Sequence, residues 1–437
     1  MNMNESFSTV YAPSSAIGGA IAVIRVSGPD TRAIAETILD RAVINRPGYL
    51  THVKIQDGDT VADDAMAVFF KAPHSYTGED LLELHCHGGM ETVRTVLSAI
   101  GNAGGVPAAA GEFTKRAFLN GKLDLSQAEA VMDVINAQAQ SSLRSALDQL
   151  SGSVGRAIGQ VESILLDARS ALEAAIDYPD EAEEQAYETL PKLLQEAKDT
   201  LDTLIRDGRS SRVLRDGMKL VILGRPNVGK SSLLNALLGE DRAIVTALAG
   251  TTRDVLDERL SIDGVPVRLV DTAGLRDTQD EAERIGVDRA RQSMQTADAV
   301  LIVLDGSVSE TEEDRALLRE TEGRKRLVLA NKSDLGTRVN ADLAVSCKTG
   351  EGIAALKTRI AALAELPKQS TQCITNERHL CALERARNAV AHAMTETEPD
   401  CIATDLMDAL HALGTVTGTD VDAEVIDRIF ANFCVGK

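Results

Sequence analysis

One short stretch constrains this chain more than any other. An apolar run, Lys219–Leu223, leads into Gly224-Arg-Pro-Asn-Val-Gly-Lys-Ser231, and a helix-forming stretch, Ser232–Leu238, follows at once. The spacing is GxxxxGK[ST], placed where its mechanism needs it, after a strand and at the opening of a helix. Gly224 and Gly229 let backbone N–H groups close around phosphate oxygens, and the helix N-terminus adds positive partial charge. Lys230 is set to reach the β- and γ-phosphates, and the Ser231 hydroxyl to ligate Mg²⁺. Val265–Val270, Ala299–Asp305 and Arg326–Ala330 are further strand-like runs separated by helical stretches. That alternation predicts a doubly wound, mainly parallel sheet.

Four more elements follow in order: Gly250-Thr-Thr-Arg-Asp254, Asp271-Thr-Ala-Gly274, Asn331-Lys-Ser-Asp334 and Ser346-Cys-Lys-Thr-Gly350. Thr252 offers a hydroxyl to Mg²⁺ in a switch-like loop. Asp271 ends a strand, where it can hold the metal shell through water, and the Gly274 N–H can sense a γ-phosphate. Asp334 can accept two hydrogen bonds from the ring N–H and exocyclic amine of guanine. Adenine has no such donor pair, and a site of this kind rejects the wrong base by roughly 10⁴-fold. The candidate nucleotide contacts are therefore Asn227, Val228, Gly229, Lys230, Ser231 and Ser232, then Thr252, Asp271, Thr272, Ala273 and Gly274, then Asn331, Lys332 and Asp334. Ras-type enzymes carry a water-orienting Gln directly after DTAG. Here that position is Leu275, so the role passes to another group, and Asp280, Glu281 and Glu283 lie just downstream. Asn227 has two readings: its amide oxygen ligates a monovalent cation beside the phosphates, or it stabilises the loop's turn.

The 437 residues are enough for two to four domains, and 44% hydrophobic content is ample for real cores. A net charge of −20 argues against a broad phosphate-binding surface. No apolar run is long enough to span a membrane, and the N-terminus shows no signal-peptide pattern. The six cysteines show no CxxC pairing and read as reduced cytosolic thiols. Before the nucleotide motif, Ala20–Val26, Ala65–Phe70 and Leu81–His87 read as strands, and Glu91–Ile100 as a helix closed by Gly101. From Leu123 to about Asp207 the pattern is helical. Leu143, Ala146, Leu147 and Leu150 form one apolar stripe, Val161, Ile164, Leu165 and Ala168 another, and Pro179 and Pro191 punctuate the run. The acidic residues 173–188 read as a solvated loop and helix start, and residues 206–217 as a polar linker. Helical pattern resumes from about Glu377 to Phe433, so the α/β unit is expected to be inserted in a helical domain. The expected modules are 1–120 (α+β), 121–215 (helical), 216–366 (the nucleotide domain) and 367–437 (helical, with the Cys-Val-Gly-Lys tail). His85 and His87 share a strand face, but a metal site needs three or four ligands and no others stand at a fitting spacing. As an isolated residue Cys434 reads as a small buried apolar group.

With these residues in view the chain resembles the MnmE (TrmE) family of tRNA-modification GTPases over essentially its full length. The strings AVIRVSG, SYTGEDLLELHCHGG, GEFTKRAFLNGKLDLSQAEAV, GRPNVGKSSLLNAL, AIVTALAGTTRDV, DTAGLRDTQDEAERIG and the terminal FCVGK carry the resemblance. The first and third strings and the tail point to this family; the G motifs alone mark only a GTPase. Val435 stands where an isoleucine or leucine is usual. The resemblance implies a homodimer whose K⁺-dependent GTPase domains meet across their nucleotide faces. Asn227, Thr246, Leu248 and Thr251 would supply the K⁺ oxygens, Leu248 through its backbone carbonyl, and Glu283 would orient the attacking water. It also implies an N-terminal site for a 5-formyl- or methylene-tetrahydrofolate, with contacts mapping to Arg25, Glu83 and Lys122 and with Lys437 nearby. Read without the family, Arg25 and Glu83 are ordinary strand residues. The tail motif brings Cys434 near that folate, as a candidate catalytic group beside Lys230 and Glu283.

The implied activity is cytoplasmic: a carboxymethylaminomethyl or aminomethyl group is added at the 5-position of wobble uridine in certain tRNAs. The implied partner is MnmG, a flavin- and NADH-using protein, in a heterotetramer. Two other readings compete. A ribosome-assembly GTPase of the Era or Der kind would need a basic RNA-binding module or a second G domain, and neither is present in the sequence. A GTP-gated scaffold would bind nucleotide without turnover. The base-reading role of Asp334 has a direct test: Asp334→Asn is expected to exchange guanine for xanthine preference in nucleotide-binding titrations, and tight GTP binding by the variant would refute it.

Overall fold

The structure is a computed structural model that describes residues 8–177, 179–239, 258–270, 294–365 and 374–437. It divides into two compact units, Met1–Met132 with Gly414–Lys437, and Asp133–Leu413.

The first unit is built on a six-stranded sheet of β1 (Val10–Pro13), β2 (Ile21–Ser27), β3 (Thr51–Asp57), β4 (Thr60–Phe70), β5 (Leu81–His87) and β6 (Val106–Pro107), in the order β3-β4-β5-β2-β1-β6. Every pairing is antiparallel except β1 with β6. The two-residue period of a strand sorts its side chains by face. Ala22, Ile24 and Val26 of β2 and Leu82, Leu84 and Cys86 of β5 join one core with Ile34 and Ile38 of α1 (Thr31–Ile38) and Val93, Val96 and Ile100 of α2 (Met90–Asn102). Arg25, Glu83, His85 and His87 occupy the intervening positions. Gly101 lies inside α2 instead of closing it, at the point where the Tyr11 hydroxyl approaches the helix.

Helix α3 (Glu112–Leu119) carries Arg116, 2% exposed, whose guanidinium donates to Glu79, Glu112 and the Ser8 carbonyl. Leu125 and Ala128 of α4 (Leu125–Asn136) pack with Ile426, Phe430 and Phe433, so the chain's last helix, Ala423–Phe430, is part of this unit's core. The C-terminal tail is stitched to the start of α3. Gly111 N donates to Cys434 O (3.3 Å) and Phe113 N to Lys437 O (3.1 Å), and Val435 bridges Ala110.

In the second unit, α5 (Gln140–Leu150), α6 (Ser153–Asp177) and α7 (Pro179–Asp216) pack with the helix Glu377–Ala393. Val161, Leu165 and Ala168 of α6 are buried. Three local expectations fail here. Leu143 and Leu147 are exposed, and the buried face of α5 is Ser142, Ser145, Ala146 and Gln149, with Gln149 Nε2 donating to Thr375 Oγ1 (2.9 Å). A polar face can be buried where partners meet it. Pro191 lies inside α7 rather than ending it, where a proline removes one helical hydrogen bond. Residues 206–216 are helix, not linker. Gly208 serves close packing there: a Cβ would meet Leu380 Cδ2 at 2.5 Å and Ile374 O at 3.1 Å.

The second sheet contains β7 (Met218–Leu223), β8 (Glu258–Ile262), β9 (Val265–Val270), β10 (Ala299–Asp305), β11 (Arg326–Asn331) and β12 (Leu343–Ala344), ordered β12-β11-β10-β7-β9-β8. All neighbours are parallel except β8 with β9. Helix α8 (Lys230–Leu238) buries Leu233, Leu234 and Leu237 against it. The result is the expected class: a doubly wound, mainly parallel domain with helices contributed from both sides in sequence, and an N-terminal α+β unit. Strand order reverses around β7, which puts the loop after β7 at the switch point where such sheets bind ligands.

The tail contact generates a prediction. Gly436 has φ 93°, and a Cβ there would collide with the Pro13 carbonyl. Left-handed backbone alone costs a non-glycine residue about 1–2 kcal/mol. Gly436→Ala is expected to release the tail and speed hydrogen exchange at the Phe113 amide by about tenfold or more; unchanged protection would show that the tail is held elsewhere.

Candidate functional site

The loop after β7 has the backbone its residues predict. Gly224 (φ 154°), Asn227 (φ 61°) and Gly229 (φ 98°) adopt conformations that most side chains resist, and asparagine is among the few that tolerate the left-handed region. A Cβ at Gly224 would strike Val303 O, and one at Gly229 would strike Asn331 Nδ2, so both glycines allow close approach. Gly229 caps α8, whose first residue is Lys230. Lys230 Nζ donates to Gly224 O (2.8 Å) and Arg225 O (2.9 Å), which folds the ammonium over the loop. Val228 is buried, and Asn227, Ser231 and Ser232 are exposed. The shape is a cradle for an anion: glycine-opened backbone, a helix N-terminus and a cation.

The end of β11 holds that cradle. Asn331, 2% exposed, donates from Nδ2 to Val228 O (2.8 Å) and accepts from Cys347 N (3.3 Å) at Oδ1. Lys332 Nζ donates to Asn227 O (2.9 Å) and pairs with Asp305 Oδ2 at 2.6 Å. Burial alone would raise the Asp305 carboxyl, but hydrogen bonds from Lys332 and from the Ser307 side chain and backbone outweigh it and hold it below the usual range. Asp334 is exposed, and Ser346, fully buried, donates its hydroxyl to Asp334 Oδ1 (2.7 Å). Asn331 and Lys332 therefore touch the phosphate loop at the C-terminal ends of the strands, and Asn331 also holds the loop at 346–350 that supplies the partner of Asp334. Thr246, Leu248, Thr251, Thr252, Asp271, Thr272, Ala273, Gly274 and Glu283, with Leu275, Asp280 and Glu281, lie outside the described residues.

The first unit holds a second polar cluster. Arg25 and Glu83 are cross-strand partners of β2 and β5, and Arg25 Nε donates to Glu83 Oε1 (2.8 Å). Such opposed charges are a natural sheet pair. The guanidinium lies 5.2 Å from the Tyr76 ring centroid, and the Tyr76 hydroxyl meets Thr114 Oγ1 at 2.9 Å. Burial raises Tyr76 above its ordinary value, against the Thr114 hydrogen bond and the Arg25 charge. Lys437 is held below its ordinary range, first by burial and then by the charge of Arg25, while Cys434 and Glu83 pull the other way. Arg25, Glu83, Lys437 and Cys434 are thus in one electrostatic neighbourhood. Lys122 makes its hydrogen bond elsewhere, to Pro73 O at 3.1 Å. His85 Nε2 lies 3.7 Å from Glu83 Oε2 and is buried with no hydrogen-bond partner, whereas His87 Nδ1 meets Asp63 Oδ1 at 2.8 Å. Among the described residues no three His, Cys, Asp or Glu side chains are grouped to hold a metal.

Comparison with known proteins finds one family along the whole chain. The MnmE helical domain family matches residues 125–434, and the family described as the GTP-binding protein TrmE N-terminus matches residues 9–122. A tRNA modification GTPase MnmE of Natranaerobius thermophilus is 39% identical over 98% of this chain and 99% of its own. One of Lactiplantibacillus plantarum is 40% identical over the whole of both chains. This chain belongs to the MnmE family.

Several residues at these sites carry no motif and escape sequence reading. Asp305 is the last residue of β10 and is recognisable only once β11 lies beside it. Tyr76 and Thr114 are parts of MnmE-family strings, but nothing local says that they meet. Among the described residues, no helix is long and apolar enough to cross a membrane.

Cys86 yields a chemical prediction. Burial, with a smaller effect from Asp63, pushes its thiol up to about 11, and its Sγ donates to Ala22 O. Only the thiolate reacts. At pH 8 iodoacetamide is expected to label Cys86 at least ~100-fold more slowly than exposed Cys401, and faster as pH rises toward 11. The difference should vanish in denaturant. Equal rates in the native protein would contradict the burial.

Proposed function

We propose that this chain is a K⁺-activated, Mg²⁺-dependent GTP hydrolase of tRNA modification. In this reading it acts in the cytoplasm as a homodimer, within a heterotetramer with MnmG, and adds a carboxymethylaminomethyl or aminomethyl group at the 5-position of wobble uridine in certain tRNAs. The working modules are 1–120, 121–215, 216–366 and 367–437. The observation that carries the nucleotide half is that one buried side chain, Asn331, joins the phosphate cradle to the corner where Asp334 faces outward. Full-length relatives named tRNA modification GTPase support the rest.

Lys230 exchanges the Gly224 and Arg225 carbonyls for the β- and γ-phosphate oxygens, and neutralises the charge that grows there. Asp334, held by Ser346, takes the guanine ring N–H and exocyclic amine. The open cradle and its helix N-terminus fit an anion with its counter-cations. Ser231 and Thr252 would hold Mg²⁺, which draws negative charge from the phosphates. Asn227, Thr246, Leu248 and Thr251 would hold K⁺, whose charge replaces that of an arginine finger, a contribution of about 10³–10⁵ in rate. Glu283 orients the attacking water. In the first unit, Glu83 suits the pterin N–H donors, and Arg25, Lys437 and Lys122 suit carboxylates. The unsatisfied Nε2 of His85 beside Glu83 fits a site with room for a polar ligand. A bound tetrahydrofolate would supply the one-carbon unit, with Cys434 close to it.

Two measurements decide the matter. Mass spectrometry of tRNA from cells lacking this chain is expected to show wobble uridine without its 5-substituent; normal tRNA would defeat the modification reading. Hydrolysis by the purified chain is expected to be at least tenfold faster in K⁺ than in Na⁺, within the range an inserted cation can supply. Equal rates would return Asn227 to a turn-forming role.

A further inference from the structure

The phosphate loop is held at a second point, away from the recognised motifs. Arg225 follows Gly224, and its carbonyl is one of the two that bind Lys230. Its side chain leaves the cradle toward the helix Glu312–Glu320, where Arg225 Nε lies 3.3 Å from Asp314 Oδ2. Asp314 is 2% exposed, and its Oδ2 also accepts from Thr311 N (3.0 Å) and Thr311 Oγ1 (2.8 Å) in a capping box. Two polar atoms of this pair are buried without hydrogen bonds, Arg225 Nε and Asp314 Oδ1. The charges are close, but the N–H is not aimed along a hydrogen bond.

A buried carboxylate is strongly disfavoured unless a cation compensates it. A helix cap does not need that compensation, since a neutral asparagine also accepts from the N-cap residue. The charge of Asp314 is therefore more than capping requires, and it falls on the phosphate loop. The opposite side of the same loop is held by Lys332 on Asn227 O, with Asp305 behind it. Asp305 ends β10, and Asp314 opens the helix that follows it. One strand–helix segment thus reaches the cradle directly at Arg225 and, through Lys332, at Asn227.

We propose that Asp314 is a positioning residue for nucleotide binding, acting through Arg225 to set the carbonyls and N–H groups of residues 224–229. The inference rests on the GTP-binding reading above. The two unsatisfied atoms show that the pair is held by charge and not by an aligned hydrogen bond.

The test uses the full-length chain and compares Asp314→Asn, Arg225→Gln and the double variant with Leu317→Ala. Leu317 lies on the same helix and packs against the apolar core beneath it. Asp314→Asn and Arg225→Gln are each expected to raise KM for GTP, and Kd for GDP, about tenfold, with kcat within about twofold. The double variant is expected to be no worse than either single one, the signature of a coupled pair. Leu317→Ala is expected to lower Tm while leaving KM unchanged. Wild-type affinity in both single variants would overturn the proposal, as would additive losses or an equal KM increase in Leu317→Ala. Should Asp314→Asn fail to fold, Arg225→Gln against Leu317→Ala still decides the matter: unchanged KM and Kd in Arg225→Gln would overturn the proposal. Failure of the wild-type chain to bind GDP would instead remove the nucleotide reading itself.

Discussion

The buried carboxamide of Asn331 is the hinge of the nucleotide domain. Its nitrogen holds the Val228 carbonyl, its oxygen holds the Cys347 amide, and Gly229 is glycine because the carboxamide stands where a Cβ would go. A phosphate cradle and a base-reading corner are useful together only at a fixed separation. Here that separation is set by one side chain at the end of a central strand, with β10 and β12 on either side. Replacing it by an apolar group would leave the buried Val228 carbonyl unpaired, at a cost of about 1–3 kcal/mol, and would release the half-buried Cys347 amide. Cradle and corner would then drift independently.

Charge is placed with the same economy. The chain is strongly acidic overall, at −20. Its cations at the two candidate sites nevertheless stand where an anion would be held. Lys230 is parked on carbonyls, Lys332 is braced by Asp305, and Arg25 is braced by Glu83 under Tyr76. A braced cation keeps its direction and loses little freedom when a ligand arrives, which is how preorganisation raises affinity. The C-terminal residues join the second of these sites because Gly436 passes against Pro13 and Phe113 takes the Lys437 carbonyl.

Much of this was legible in the sequence, for physical reasons. GxxxxGK, NKSD and the apolar runs at Lys219, Val265, Ala299 and Arg326 each report local constraints: backbone approach, base chemistry and strand burial. Alternation likewise put His85 and His87 on one strand face, while Arg25 and Glu83 read as ordinary strand residues until the family resemblance singled them out. What stayed hidden depends on pairing across distance. The α5 stripe was inverted because Ser142, Ser145 and Gln149 are buried by contacts from elsewhere, Thr375 among them. The segment at 206–216 looked like a linker because glycine and charge suggest one. Leu380 and Ile374 instead make Gly208 a packing residue. Asp305 and Asp314 belong to no motif, and each matters only through a lysine or arginine brought to it by the fold.

The central claim is that the corner formed by Asp334, Ser346 and Asn331 reads guanine. Calorimetric titration of the purified full-length chain with GDP and with ADP, in Mg²⁺ and K⁺, addresses it most directly. GDP is expected to bind at least ~10³-fold more tightly than ADP, as a carboxylate that accepts from guanine's two donors and finds no such pair on adenine demands. Comparable affinities for the two nucleotides would mean that this corner does not recognise the base.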